Sequence, residues 1–188
     1  MIELLKTDVP AWNEWRAENP WAVIDLAGAD LEGANLRGVT LGGADLKGAE
    51  LEGANLRDAN LIKANLECAY LKCANLRDVN LAYANLRRAD LYRASLEGAY
   101  LYSANLENAY LSGAILWAAD LSNAYLDNAY LECTNLKDAD LKGANLSNAD
   151  LKGAYLRDAD LCGAILENAN LENADLTGAR FTNKEDKK

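Results

Sequence analysis

Along most of this chain a leucine recurs at every fifth residue. The stretch Gly43 to Leu61, GADLKGAELEGANLRDANL, shows the pattern. Five suits neither a helix nor a flat strand. On an α-helix, steps of five turn about 500°, so successive leucines would lie about 140° apart and circle the surface. On a strand, an odd count would send alternate leucines to opposite faces. All of them reach one interior only if the chain turns a corner at each repeat. The pattern therefore predicts a coil built from short straight sides.

Leucine holds every fifth position from Leu26 to Leu176, and Phe181 ends the series, giving 32 repeats over 160 of 188 residues. Two places before each leucine stands a small residue, almost always alanine; Ile24, Val39, Val79 and Thr134 are the exceptions. The residue just before leucine is mostly Asp or Asn, and the two after it are mostly polar, charged or Gly. Leucine and the small residue point inward and the other three outward. Internal repetition of this kind marks a solenoid in which each unit contacts its neighbours.

The recurring blocks ANLRDANL and ADLKGAEL resemble the pentapeptide repeat family over all 32 repeats. The resemblance implies an all-β solenoid, a right-handed quadrilateral β-helix with four repeats per coil. Thirty-two repeats then make about eight coils, with a stack roughly 38 Å long. The square cross-section comes from the resemblance alone.

The second residue after leucine is Gly, Asn or Asp in most repeats, as a turn needing positive φ requires. Nine repeats depart from this: Lys63, Cys68, Cys73, Tyr83, Arg88, Arg93, Ser103, Ala118 and Cys133. A different turn geometry is expected there, because Tyr or Arg at positive φ is costly.

Residues 1–24 follow other rules and read as an N-terminal cap with a short helix. Asp8-Val9-Pro10 marks its start and Asn19-Pro20 its end. Trp12, Trp15 and Trp21 crowd this segment and are expected to close the first coil, whose edge would otherwise expose backbone groups. Residues 25–183 form the repeat solenoid, and 184–188 a charged tail. The closing TNKEDKK is too charged to cap the far end well.

No apolar run approaches the roughly 18 residues needed to span a bilayer; the most apolar patch is AILWAA, residues 114–119. MIELLKTDVPAW carries acid and proline where a signal peptide would keep an apolar core. A cytoplasmic protein is expected.

The chain has no histidine, hence not the commonest general base. Its four cysteines, 68, 73, 133 and 162, fit no zinc spacing and read as reduced surface thiols. The Asp and Asn residues read as solvated ladder positions, and no glycine motif joins a strand to a helix. No enzymatic activity, metal or cofactor is expected.

Binding remains. With four repeats per coil, Arg37, Arg57, Arg77, Lys137 and Arg157 form one column, a candidate anion-facing surface. Asp58, Asp78, Asp138 and Asp158 follow four of them and largely neutralise it. A second column stacks Ile62, Ala82 and Tyr102, flanked by Tyr83 and Tyr100. Ile115 and Trp117 lie around the adjacent corner. This is the candidate partner-binding patch, with Arg87 and Arg88 nearby; Tyr110 and Tyr130 read as a stiffening ladder instead.

Two functional classes follow. One is a non-enzymatic interaction scaffold. In its cap and unbroken stack the chain resembles cyanobacterial members of the family, some of which regulate heterocyst differentiation. The other is a DNA mimic that binds gyrase, as in quinolone resistance. The net charge of −10 and the column Asp120, Asp140 and Asp160 invite the second. Duplex DNA of that length carries roughly 22 charges, however, which argues against it. The partner is expected to be a protein rather than nucleic acid or membrane. A monomer is favoured over a dimer joined end to end at the C-terminus.

Overall fold

The structure, a computed structural model, describes residues 2–181. The expected tail, 184–188, lies outside the described residues. Two helices open the chain: α1, Ile2–Thr7, and α2, Val9–Glu18. α2 begins and ends as its sequence indicates. Asp8 is the N-cap, its carboxylate accepting from the Ala11 N–H at 3.0 Å, and Asn19 is the C-cap. α1 has no counterpart in the sequence reading. IELLKT is too short to show a period, and Leu5 anchors it by full burial.

From Asp25 onward, the residue before each leucine forms a parallel bridge to the residue 20 positions later. The first four bridges are Asp25–Asp45, Asp30–Glu50, Asn35–Asn55 and Thr40–Asn60, and the last is Asp160–Arg180. The chain thus returns to the same side after four pentapeptides. Each such circuit is one coil, with sides one to four counted from Asp25, Asp30, Asn35 and Thr40.

Each repeat uses its backbone in a fixed way. The Leu26 N–H donates to Asp45 in the next coil at 2.7 Å, and Asp45 N–H donates back to Ile24 at 2.8 Å. The turn residue Gly28 donates to Lys47 at 2.8 Å, and Ala29 closes the turn on Leu26 at 3.0 Å. One N–H is left over, on the residue just after leucine. In nearly every repeat where Asp or Asn precedes the leucine, its side chain accepts that donor: Asp45 from Lys47 N, Asn60 from Ile62 N, Asn85 from Arg87 N. These are Asx turns, and they complete the backbone pairing. The Asp and Asn positions are therefore structural, rather than merely solvated as their outward direction implies. Asparagines also bond along a side, as Asn75 Nδ2 does to Asn55 Oδ1 at 3.1 Å.

The leucines fill the interior. From Leu26 to Leu161 none is more than 3% exposed. Complete burial of one leucine side chain stabilises by about 1.5–3 kcal/mol, and the regular register delivers that gain in each repeat from Leu26 to Leu161.

The expectation for the nine unusual turns is overturned. Lys63, Cys68, Cys73, Tyr83, Arg88, Arg93, Ser103, Ala118 and Cys133 all have φ between 53° and 60°, the same left-handed backbone as the Asn and Asp turns. The reason lies between coils. Tyr83 N–H donates to Tyr102 at 2.9 Å and Arg88 N–H to Glu107 at 3.0 Å, as Gly28 does in its own turn. These bonds hold the corner in place and offset a local cost of about 1–2 kcal/mol.

The cap acts by imitating a missing coil. In the repeat pattern, Thr40 would pair with backbone one coil earlier. Instead its N–H donates to Asn13 Oδ1 at 2.8 Å, and its carbonyl accepts from Trp12 Nε1 at 3.0 Å. Asn13 Nδ2 also donates to the Gly38 carbonyl at 2.9 Å. Arg16 spans the Ala22 and Gly42 carbonyls at 3.0 and 3.4 Å. Trp12 is fully buried, and its ring lies 5.5 Å from that of the half-buried Trp15. Trp21 corrects the sequence reading: it is 93% exposed and closes nothing. Asn19, Pro20, Trp21 and Ala22 form a turn, closed by Ala22 N–H on Asn19 O, which places Trp21 at its tip.

Candidate functional site

Side four carries the tyrosine cluster. Asn60, Asn80 and Tyr100 stack by successive bridges, and Tyr100 bridges in turn to Asp120. Asn60 and Asn80 turn their side-chain oxygens onto the N–H groups of Ile62 and Ala82, which fixes this stretch of backbone. Ile62 and Ala82 are half-buried, while Tyr83, Tyr100 and Tyr102 are exposed. The rings of Tyr83 and Tyr102 meet edge to face, with centroids 5.4 Å apart and planes at 84°. Such a pair holds both side chains in place while leaving apolar surface to solvent.

The other two residues of the candidate patch belong to side three. Ile115 bridges Ser95 and Asn135. Trp117 stands in the same column as the arginines, and its indole Nε1 donates to Asp138 Oδ2 at 3.0 Å. That bond, more than any other contact, holds the Asp138 carboxyl below the usual range. Trp117 also borders a shallow hollow with Arg57, Arg77, Asp78, Glu97 and Gly98.

The basic column is zipped to carboxylates. Arg37 pairs with Asp58 at 3.1 Å, Arg57 reaches Asp78 at 3.5 Å, and Arg77 meets Glu97 at 2.9 Å. Lys137 and Arg157 lie 3.4 and 3.5 Å from Asp138 and Asp158. The column presents alternating charge rather than a positive strip. The acidic column on side four is likewise tied up at its upper end. Lys142 bonds both Asp140 and Asp160, and Arg180 bonds Asp160 at 3.0 Å.

Tyr110 and Tyr130 form the ladder that their spacing predicts, stacked 5.0 Å apart at 3°. Cys162 departs from the surface-thiol reading, being only 4% exposed. Its hydrogen bond to Asp160 is the main influence raising its thiol above the ordinary value. Three residues escaped the sequence reading. Asn13 and Arg16 hold the cap on the first coil through the Gly38, Thr40 and Gly42 backbone, and Val23 is 88% exposed beside Trp21. A valine outside the small-polar-Leu frame, two residues after a tryptophan, is the signal that was there to find.

This geometry has known relatives. No curated protein matches the chain. Among solved structures it is similar to Rfr23, a pentapeptide repeat protein from the cyanobacterium Cyanothece 51142. Identity is 34%, over 57% of this chain and 87% of that one, with a TM-score of 0.55. It is similar to HetL, a pentapeptide repeat protein involved in heterocyst differentiation regulation in Nostoc sp. strain PCC 7120. Identity there is 34%, over 83% and 84% of the two chains, with a TM-score of 0.33. A trypsin-treated variant of QnrB1, a plasmid-mediated fluoroquinolone resistance protein, shares 20% identity over 87% and 92% of the two chains, with a TM-score of 0.54. That last likeness is one of fold. The family profile for pentapeptide repeats matches in 8 copies, over segments running from residues 24–61 to residues 144–183. With its register of leucines, four bridged sides and a profile match over most of its length, the chain belongs to the pentapeptide repeat family.

Proposed function

We propose that this protein is a non-enzymatic interaction scaffold, a right-handed quadrilateral β-helix whose tyrosine face on side four takes a protein partner. One observation carries the reading. Tyr83 and Tyr102 are braced against each other and exposed, beside Ile62 and Ala82, on a face whose other outward positions there are uncharged except for Lys63. Braced aromatic side chains lose little freedom on binding and supply large contact area. Trp117 and Ile115 extend the patch around the corner in this proposal. A cytoplasmic, cyanobacterial regulatory setting fits the sequence and the origin of Rfr23.

The gyrase-binding alternative draws on the net charge of −10. Its weakness is the interleaving of basic residues with the carboxylates on side three, which does not imitate a phosphate backbone.

The test is affinity capture from a cyanobacterial extract with wild-type protein and a Tyr83→Ser/Tyr102→Ser variant. A partner retained by the wild type and lost by the variant, at unchanged melting temperature, is the expected result. Equal capture by both would place the site elsewhere. Trp117→Ala, run separately, reads whether side three takes part. A supercoiling assay tests the alternative, which predicts gyrase inhibition at micromolar protein.

A further inference from the structure

The tyrosine cluster is the upper part of a longer apolar face. Arg16 binds the carbonyls of Ala22 and Gly42 with one guanidinium. The Ala22 carbonyl therefore lies close to that of Gly42, at the foot of side four. Its neighbours are Trp21 and Val23, the two most exposed large apolar side chains in the described structure, at 93% and 88%. Above them come Gly42 and Gly43, which leave a low floor, and then the Ile62 and Ala82 column. From 40–43 through 100–103 the face holds one charged residue, Lys63. Carboxylates return only above it, at Asp120, Asp140 and Asp160.

From Ile62 to Tyr83 the backbone N–H groups of this face are already committed. Lys63 N–H donates to Ala82, and Tyr83 N–H to Tyr102, within the stack. The remaining N–H groups of Ile62 and Ala82 are held by Asn60 and Asn80. An added β-strand would find no open edge here, so recognition falls to side chains. Their spacing along the stack is set by the coil rise, about 4.8 Å, close to the 5.4 Å pitch of an α-helix. From Val23 to Ser103 is four coils, about 19 Å, which roughly 13 helical residues span. A helix lying along the stack can therefore set one apolar residue against each coil.

We propose that side four, from Trp21 and Val23 up to Tyr102, seats an amphipathic helix of a protein partner, apolar toward the face and carrying a carboxylate over Lys63. This rests on the interaction reading above and names its ligand. Trp21, held at the tip of its turn, clasps the lower end of the helix, and the Tyr83–Tyr102 pair clasps the upper end.

A displayed library of random peptides of roughly 16 residues, selected on the wild-type protein, is the probe. The expected winners carry apolar residues at helical spacing with an acidic residue among them. Val23→Asp, at the foot, and Tyr102→Asp, at the top, should each weaken binding of the winning peptides about tenfold or more. Lys63→Glu should weaken it too, and a peptide with its acid changed to lysine should regain affinity for that variant. Winners sensitive to Tyr102→Asp but not to Val23→Asp would leave the tyrosine site standing and overturn its extension to the foot. Winners rich in proline, or insensitive to charge exchange at Lys63, would overturn the helical acidic ligand. Winners insensitive to every one of these changes would overturn both readings. So would self-association that Val23→Asp abolishes, by making the occupant a second copy.

Discussion

The two ends of the stack are built differently. At the N-terminal end, Leu26, Leu31 and Leu36 are as buried as any leucine in the middle, within 3%. The cap lays Trp12 over them and supplies Asn13 and Arg16 in place of absent backbone. At the far end of the described residues, Leu166, Leu171 and Leu176 are only partly buried, and Phe181 is 46% exposed. A repeat protein of this kind gives every interior coil the same environment and leaves its ends to be settled separately. Closing an end takes more than apolar cover, since the open edge also presents N–H and C=O groups that need partners.

Removing the cap should have the largest effect. A chain lacking residues 1–21 exposes the first leucines together with the Gly38, Thr40 and Gly42 backbone. Aggregation or end-to-end association is expected, seen as high-mass species in gel filtration and a lowered melting temperature. A monomer with unchanged melting would mean that the cap does not protect the edge.

The second contrast uses one substitution at three heights. Leu101→Ala, held between coils on both sides, should cost about 2–5 kcal/mol. Leu31→Ala should approach that value, because the cap makes its surroundings interior. Leu171→Ala should cost less than half as much, since water already reaches that coil. Urea midpoints for the three variants decide it. Equal losses at 101 and 171 would break the comparison of ends.

How much of this was legible beforehand depended on whether a feature repeats. The leucine register could be read because a period of five has a single solution, and α2 because Asp8 and Asn19 are strong local signals. That four repeats complete a coil needed the family resemblance, because spacing alone does not set the number of sides. The turns at Tyr83 and Arg88 run against local preference, because the bonds that hold them lie between coils. The cap was only partly visible. Three tryptophans announce apolar cover, yet nothing local says that Trp21 points away. The roles of Asn13 and Arg16 exist only once α2 docks beneath side four. The binding face was half legible for the same reason. The column Ile62, Ala82, Tyr102 follows from counting by twenty, whereas the nearness of Ala22, between Trp21 and Val23, to Gly42 follows from the Arg16 contacts.

Asn13 allows the backbone imitation to be tested apart from apolar cover. Asn13→Ala removes both partners, leaving the Thr40 N–H and the Gly38 carbonyl unsatisfied. A loss of about 1–3 kcal/mol is expected, with faster hydrogen exchange confined to the first coil. Asn13→Asp keeps the acceptor for Thr40 and loses the donor to Gly38, so its loss should be smaller. Equal losses for the two variants would mean that the Thr40 bond contributes nothing.

The smallest expected difference between the ends is their response to acid. The cap's polar bonds to the first coil run to neutral groups. Arg16 donates to carbonyls, Trp12 donates to a carbonyl, and Asn13 is an amide. Near the other end, Asp160 is held by charged partners. Burial pushes its carboxyl upward, but bonds from Cys162 and Lys142 outweigh this and hold it below the ordinary aspartate value. A carboxyl depressed in the folded state stabilises the fold at pH values above its unfolded value of about 3.9. That contribution fades as pH falls from there through the lower folded value. Acid should therefore loosen the coils around Asp160 before it loosens the cap. Hydrogen exchange at about pH 3, below the unfolded value, against about pH 6, above it, should show protection falling first near Asp140 to Arg180, with the first coil unchanged. Asp160→Asn, which does not titrate, should be slightly less stable at the higher pH and should narrow the pH dependence of that segment. If wild type and variant show the same acid response there, the Asp160 cluster is not what distinguishes this end of the stack from the other.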